Sequence, residues 1–153
     1  MTDSLVFVMG RFPAPIPTDR QYTTNHMWAC GEQDVWRFGF TAYAVRLLQQ
    51  VYFLDWLVDE GMPVQARQEM GVIESKKAEA ALYAPLTGQL RRLNHDVLED
   101  PSQINRDTYG SGWLFEIQGV AEGFLTADDY HDHLKSVWKL TQRMLKEPLD
   151  ERG

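Results

Sequence analysis

The sequence predicts a mainly β domain: a sandwich or barrel of short strands, with a short internal helix and an amphipathic C-terminal helix. Short β-prone segments recur from Tyr22 onward, each bounded by turn residues. Two stretches break that pattern with helical periodicity behind a Thr cap. With 153 residues, 44% of them apolar, the chain is long enough to bury one core without staples.

In order, residues 5–9 (LVFVM) read as a short strand. Pro13, Pro15 and Pro17 then alternate and force an extended path, so residues 1–21 are expected to be a Pro-rich arm laid over the domain. Strand segments follow around Tyr22–Ala29, Asp34–Gly39, Val51–Leu57, Met70–Ser75, Ala78–Tyr83 and Gly88–Leu93. Gly31, Gly61-Met62-Pro63 and Pro85 with Gly88 punctuate them. Full closure of such strands would remove vulnerable sheet edges. Thr41 caps a helix over Ala42–Gln49, with Tyr43, Leu47 and Leu48 facing inward. Near the C-terminus Thr126 is the expected N-cap, and Asp128 and Asp129 suit a first turn. Tyr130, Leu134, Val137, Trp138, Leu140, Thr141, Met144 and Leu145 then recur at helical spacing, and Pro148 marks the end.

The net charge of −7 excludes a phosphate-tracking nucleic-acid binder and disfavours adhesion to an anionic membrane. A single cysteine excludes an internal disulfide framework. No basic segment precedes the first apolar run and no stretch has the length of a bilayer span, so a cytoplasmic location is expected.

No catalytic constellation is expected. Neither a phosphate-binding glycine loop nor a nucleophile elbow is present. Cys30 and His26 lie four residues apart in a strand-turn context, a spacing that does not aim both at one point; Cys30 is expected to be structural. In Asp128-Asp129-Tyr130-His131-Asp132-His133 the two histidines are two apart and point to different helix faces, so no metal is expected. His95 sits in a polar stretch and is expected at the surface.

The informative stretch is residues 71–88, GVIESKKAEAALYAPLTG. Val72 and Ile73 lead to a polar tip, Glu74-Ser75-Lys76-Lys77, and Ala78, Ala80, Ala81 and Leu82 lead away from it. That is a hairpin with a lysine at its apex. Alone, a lysine on a turn is a solvated charge.

The combination carries more. ESKKA is followed by LYAPLTGQL and then NHDVLEDPSQINRDTYGSGWLFEI, with YTTNHMWA and FGFTAYAVRLL upstream. Together, from about Tyr22 to Ile117, these resemble the lipoyl-bearing H-protein of the glycine cleavage system. The resemblance implies a flattened barrel-sandwich hybrid over residues 22–118, with residues 119–153 a helical extension packed on it. It implies lipoate joined to Lys77, the fourth place of the family's E-S-V-K-A turn. Glu74, Ser75 and Ala78 would shape the turn and its recognition by the lipoate-attaching enzyme. Lys76 stands at the family's valine, and the missing flanking methionines disfavour biotin. The implied role is a non-catalytic carrier of the aminomethyl intermediate and of electrons among the enzymes of glycine cleavage.

Three features depart from the family. Leu48-Gln49-Gln50-Val51-Tyr52-Phe53-Leu54 stands where the family has a G-D-I-V-F-V-like run, so a glycine and an acidic residue are missing. The Pro-rich arm precedes the domain, and the region after Gly119 follows its own sequence. These leave two alternatives open. One is a lipoate-binding protein of bacterial sulfur oxidation, carrying sulfur on dihydrolipoate beside a heterodisulfide-reductase-like complex. The other is an unmodified scaffold that keeps the fold.

Overall fold

A computed structural model describes residues 3–144. The chain opens with a hairpin, β1 (Ser4–Met9) and β2 (Phe12–Pro17), turning at Gly10. The Pro-rich segment is therefore a paired strand. Val6 faces Pro15 and Val8 faces Pro13, so the prolines fall on alternate positions where no N–H is owed to β1. Their carbonyls turn outward: Pro15 O accepts from the Tyr109 hydroxyl at 2.6 Å, and Pro17 O accepts from that of Tyr22.

Next come β3 (Gln21–Tyr22), β4 (Met27–Glu32), β5 (Val35–Phe40) and helix α1 (Ala42–Leu48). Thr41 caps α1 by accepting from the Ala44 N–H, with Tyr43 buried and Leu47 and Leu48 half-buried. Strands β6 (Val51–Trp56), β7 (Pro63–Val64), β8 (Glu69–Ser75), β9 (Glu79–Tyr83) and β10 (Gly88–Leu93) follow. Two short helices, α2 (His95–Glu99) and α3 (Gln103–Arg106), precede β11 (Phe115–Gln118) and the long α4 (Ala127–Met144).

One sheet runs β3-β4-β5-β11-β10-β7 and a second β6-β8-β9; with the hairpin, these are the sheets of the described residues. They do not close into a barrel. Met27, Phe38, Leu90, Phe115 and Ile117 from the large sheet meet Leu54, Met70, Ile73 and Leu82 from the small one in a shared apolar core. That is sandwich packing, and the edges are managed by other means. Strands β3 and β7 are two residues long, and Tyr22 bridges to Leu125.

A second core joins the hairpin to α4. Phe7, Met9, Ala14 and Ile16 pack with Tyr22, Trp28, Tyr43, Tyr130 and Leu134. Thr126 caps α4 by accepting from the Asp129 N–H at 3.1 Å. Leu140 is the exception to the expected apolar face, at 58% exposed. It lies roughly 80° round the helix from Tyr130 at 3.6 residues per turn, off the stripe that meets the core. Leu145 and Pro148 lie outside the described residues. No helix among those described is long and apolar enough to cross a membrane.

Gly88, expected in a turn, is required for another reason. It opens β10, and a Cβ there would collide with the Gln118 carbonyl of the neighbouring strand.

Candidate functional site

The lysine turn joins β8, the central strand of the small sheet, to the edge strand β9. Register places Ile73 opposite Ala80 and Glu74 opposite Glu79, leaving Ser75-Lys76-Lys77-Ala78 as the connection. Neither lysine has a positive φ, so this is not one of the primed turns that match hairpin twist. The Ser75 side chain compensates. Its Oγ accepts from the Ala78 N–H at 3.1 Å and its hydroxyl donates to the Ala78 carbonyl at 3.0 Å, while the Ser75 N–H donates to that same carbonyl at 2.8 Å. Ser75 thus closes the turn that its neighbours present. Lys76, Lys77, Ala78 and Glu74 are exposed.

The turn is also tied from outside. The Lys76 N–H donates to the Gln50 carbonyl at 2.8 Å. Gln50 belongs to the link between α1 and β6, which Asn105 of α3 clamps from both sides. Asn105 Nδ2 donates to the Gln49 carbonyl at 2.7 Å, and its Oδ1 accepts from the Val51 N–H at 3.0 Å. Between these anchors Gln49 adopts φ 61° and ψ −143°, a conformation close to the glycine-only region. Its side chain is 1% exposed, and neither amide atom has a hydrogen-bond partner. Glycine would adopt this backbone shape without strain.

Two residues of β6, Tyr52 and Phe53, are exposed beside the turn. The register between β6 and β8 shifts across Val51–Phe53, placing Tyr52 at an irregularity opposite Ser75 and Glu74.

The other sequence candidates do not join the turn. Cys30 is half-buried in β4, with its thiol pushed up by burial, the opposite of an activated nucleophile. His95 is exposed, 3.5 Å from Glu60. His131 and His133 diverge as expected, toward the carbonyls of Val6 and Thr24. His133 does approach a residue that sequence reasoning set aside, since its ring centroid lies 5.9 Å from that of His26. His26 Nδ1 is 2.9 Å from the Tyr130 hydroxyl, which is 2.8 Å from Thr41 Oγ1. Burial, with His133 adding repulsion, lowers the His26 pKa to about 4. Among the described residues no group of three or more His, Cys, Asp or Glu is placed to hold a metal.

Comparison with known proteins decides the family. The model of the glycine cleavage H-protein family matches residues 20–137. The chain belongs to that family. The probable glycine cleavage system H protein of Natronomonas pharaonis is 39% identical over 118 residues, spanning 75% of this chain and 93% of its own. That of Thermus thermophilus is 34% identical over 125 residues, covering 79% and 97%. A crystal structure of the H protein from Mycobacterium marinum superposes with a TM-score of 0.70 at 34% identity, covering 80% of this chain and 98% of the other. The family match begins at Arg20, after the β1–β2 hairpin.

Proposed function

We propose that this protein is the lipoyl carrier of a glycine cleavage system, with lipoate joined through an amide to Lys77. One observation carries the reading: an exposed lysine at the apex of a turn whose backbone is fixed from both sides, in a chain of the H-protein family. A swinging carrier needs an exposed attachment residue on a base that does not move with it, and Lys77 is exposed on a turn closed by Ser75. Lys76 is the poorer choice, because its residue lines a hollow beside the turn.

When bound, lipoate supplies a strained disulfide that accepts electrons and a transferred group and later returns as a dithiol. The polypeptide contributes presentation. Ser75 holds the turn closed, Ala78 adds no bulk beside the amine, and Glu74 and Ser75 form part of the face read by the lipoate-attaching enzyme. The partners are then that enzyme and the glycine cleavage enzymes, in a cytoplasmic setting, and the chain itself performs no catalysis. None of the relatives named above supports the sulfur-oxidation alternative.

The test is peptide mass spectrometry of protein from its native host. A lipoyl-sized increment on the peptide containing Lys77, absent from Lys77→Ala and retained in Lys76→Val, is the expected result. An unmodified Lys77 in cells that lipoylate other carriers would sink the reading and leave an unmodified scaffold in its place.

A further inference from the structure

An open sheet edge invites further pairing. The three sheets of the described residues end in six outer strands, and five of these are short or shielded. Strands β3 and β7 are two residues long, and Tyr22 of β3 exchanges both backbone bonds with Leu125. Strand β2 carries prolines where its outward donors would stand. Strand β1 packs against α4, whose His131 Nε2 is 3.1 Å from the Val6 carbonyl. Helix α2 packs beside β6, and Asn105 takes the Val51 N–H. Strand β9 differs. It runs for five residues as EAALY, holds neither proline nor lysine, and has no strand beyond it among the described residues.

The groups it presents follow from the way the hairpin closes. The Ser75 N–H bonds to the Ala78 carbonyl, and antiparallel pairs alternate from there, so Ile73–Ala80 and Gly71–Leu82 bond within the sheet. The backbone N–H and C=O groups of Glu79 and Ala81 therefore point out of it. Beyond the register shift at Glu69–Gly71, Ala84 turns inward by bonding to Gln68 and Arg67, which leaves Tyr83 outward as well. The side chains of these three residues share the face away from the core. Ala80 and Leu82 pack on the apolar core, whereas Glu79 and Tyr83 are exposed.

We propose that β9 pairs with β9 of a second copy of this chain, antiparallel about a two-fold axis at Ala81. The occupant follows from the match of this edge to itself. Centring the pair on Ala81 sets Glu79 opposite Tyr83 of the second copy, so outward residues meet outward residues along the whole strand. No like charges fall opposite each other, and a small side chain lies on the axis. Five paired residues bury well under the roughly 800 Å² per partner of a stable complex. Each copy also carries a net charge of −7. The dimer is therefore weak, and salt strengthens it by screening that repulsion. The two lysine turns lie at opposite ends of the paired strands. The inference goes beyond the carrier reading and does not require Lys77 to be modified, so failure of one leaves the other standing.

The test is sedimentation equilibrium of the unmodified full chain up to about 1 mM, with amide hydrogen exchange followed by NMR. A monomer–dimer equilibrium is expected, tighter at higher salt. Exchange of the Glu79, Ala81 and Tyr83 amides should slow as the dimer forms. Ala80 and Leu82, bonded within the sheet, should be protected at every concentration. Ala81→Lys and Ala81→Glu should each weaken the dimer by about fivefold, because the axis sets two like charges opposite each other. Mixed together, the two variants should pair more tightly than either does alone. Both substitutions fall on the outer face, and dispersed amide spectra report directly that the variants are folded. A chain still monomeric at about 1 mM would overturn the proposal. So would a dimer that leaves the Ala81 amide unprotected, or one that the charged variants and their mixture do not change; either result moves the contact to another surface.

Discussion

At the scale of single residues, Gln49 is where sequence and backbone disagree. Its φ of 61° belongs to glycine, and its buried amide bonds to nothing described. A strained φ and an unsatisfied amide each cost on the order of 1 kcal/mol or more. Gln49→Gly removes both, at the expense of chain entropy and of packing given up by a buried side chain. The expected outcome is a gain of about 1 kcal/mol in a two-state denaturation experiment. A loss of stability would mean that the Gln49 side chain has partners in solution. Lys77 is the opposite case, a residue whose place on an exposed turn was legible from sequence. The motif that presents it is contiguous, and the turn that closes it is made by its own neighbour Ser75.

At the scale of elements, local pattern located most strands to within a residue or two, because turn residues bound segments such as β8, β9 and β10 on both sides. The short helices α2 and α3 were invisible, being too brief to show a period. Pairing of the Pro-rich segment was also hidden. Only the register shows that its prolines sit where β1 asks for no donor. The most consequential hidden element is α3, through Asn105. It holds Gln49 and Val51 on either side of the carbonyl that receives the Lys76 N–H. The carrier turn is therefore positioned by a helix roughly thirty residues away in sequence, a distance no motif spans. Asn105→Ala should cost about 1–3 kcal/mol, since it leaves the Val51 N–H and the Gln49 carbonyl without these partners. The distinguishing readout is local: Lys76 amide exchange should accelerate more than that of the β10–β11 ladder. Asn105→Asp keeps the acceptor for Val51 but loses the donor to Gln49, and should fall between the two. Uniform acceleration across the molecule would reduce Asn105 to a general stabiliser.

At the scale of the whole molecule, the two cores meet through a polar seam that sequence could not reveal, because His26 and Tyr130 are 104 residues apart. Helix α4 docks there through a chain of hydroxyls. In the Nε2–H tautomer of neutral His26, Nδ1 accepts from the Tyr130 hydroxyl, which is then left to accept from the Thr41 hydroxyl, while Thr41 Oγ1 accepts from the Ala44 N–H. Protonating His26 would turn that acceptor into a donor and set a charge inside the seam, beside Tyr43, Tyr130 and His133. The folded-state pKa of about 4 lies below the ordinary 6.5, so the unfolded chain binds this proton more readily. Stability is then unaffected by this group above pH 6.5. It falls as pH drops from 6.5 toward 4 and levels off below that, for a total of roughly 3 kcal/mol. Carboxylates add their own titration below about pH 5, so the diagnostic window is pH 6.5 to 5. His26→Asn suits the comparison, because asparagine tolerates the φ of 70° at this position and cannot be protonated there. The wild-type chain should lose stability across that window while the variant stays nearly flat. Parallel slopes in the two proteins would assign the acid sensitivity to other groups and leave the seam between α4 and the sheets indifferent to protons.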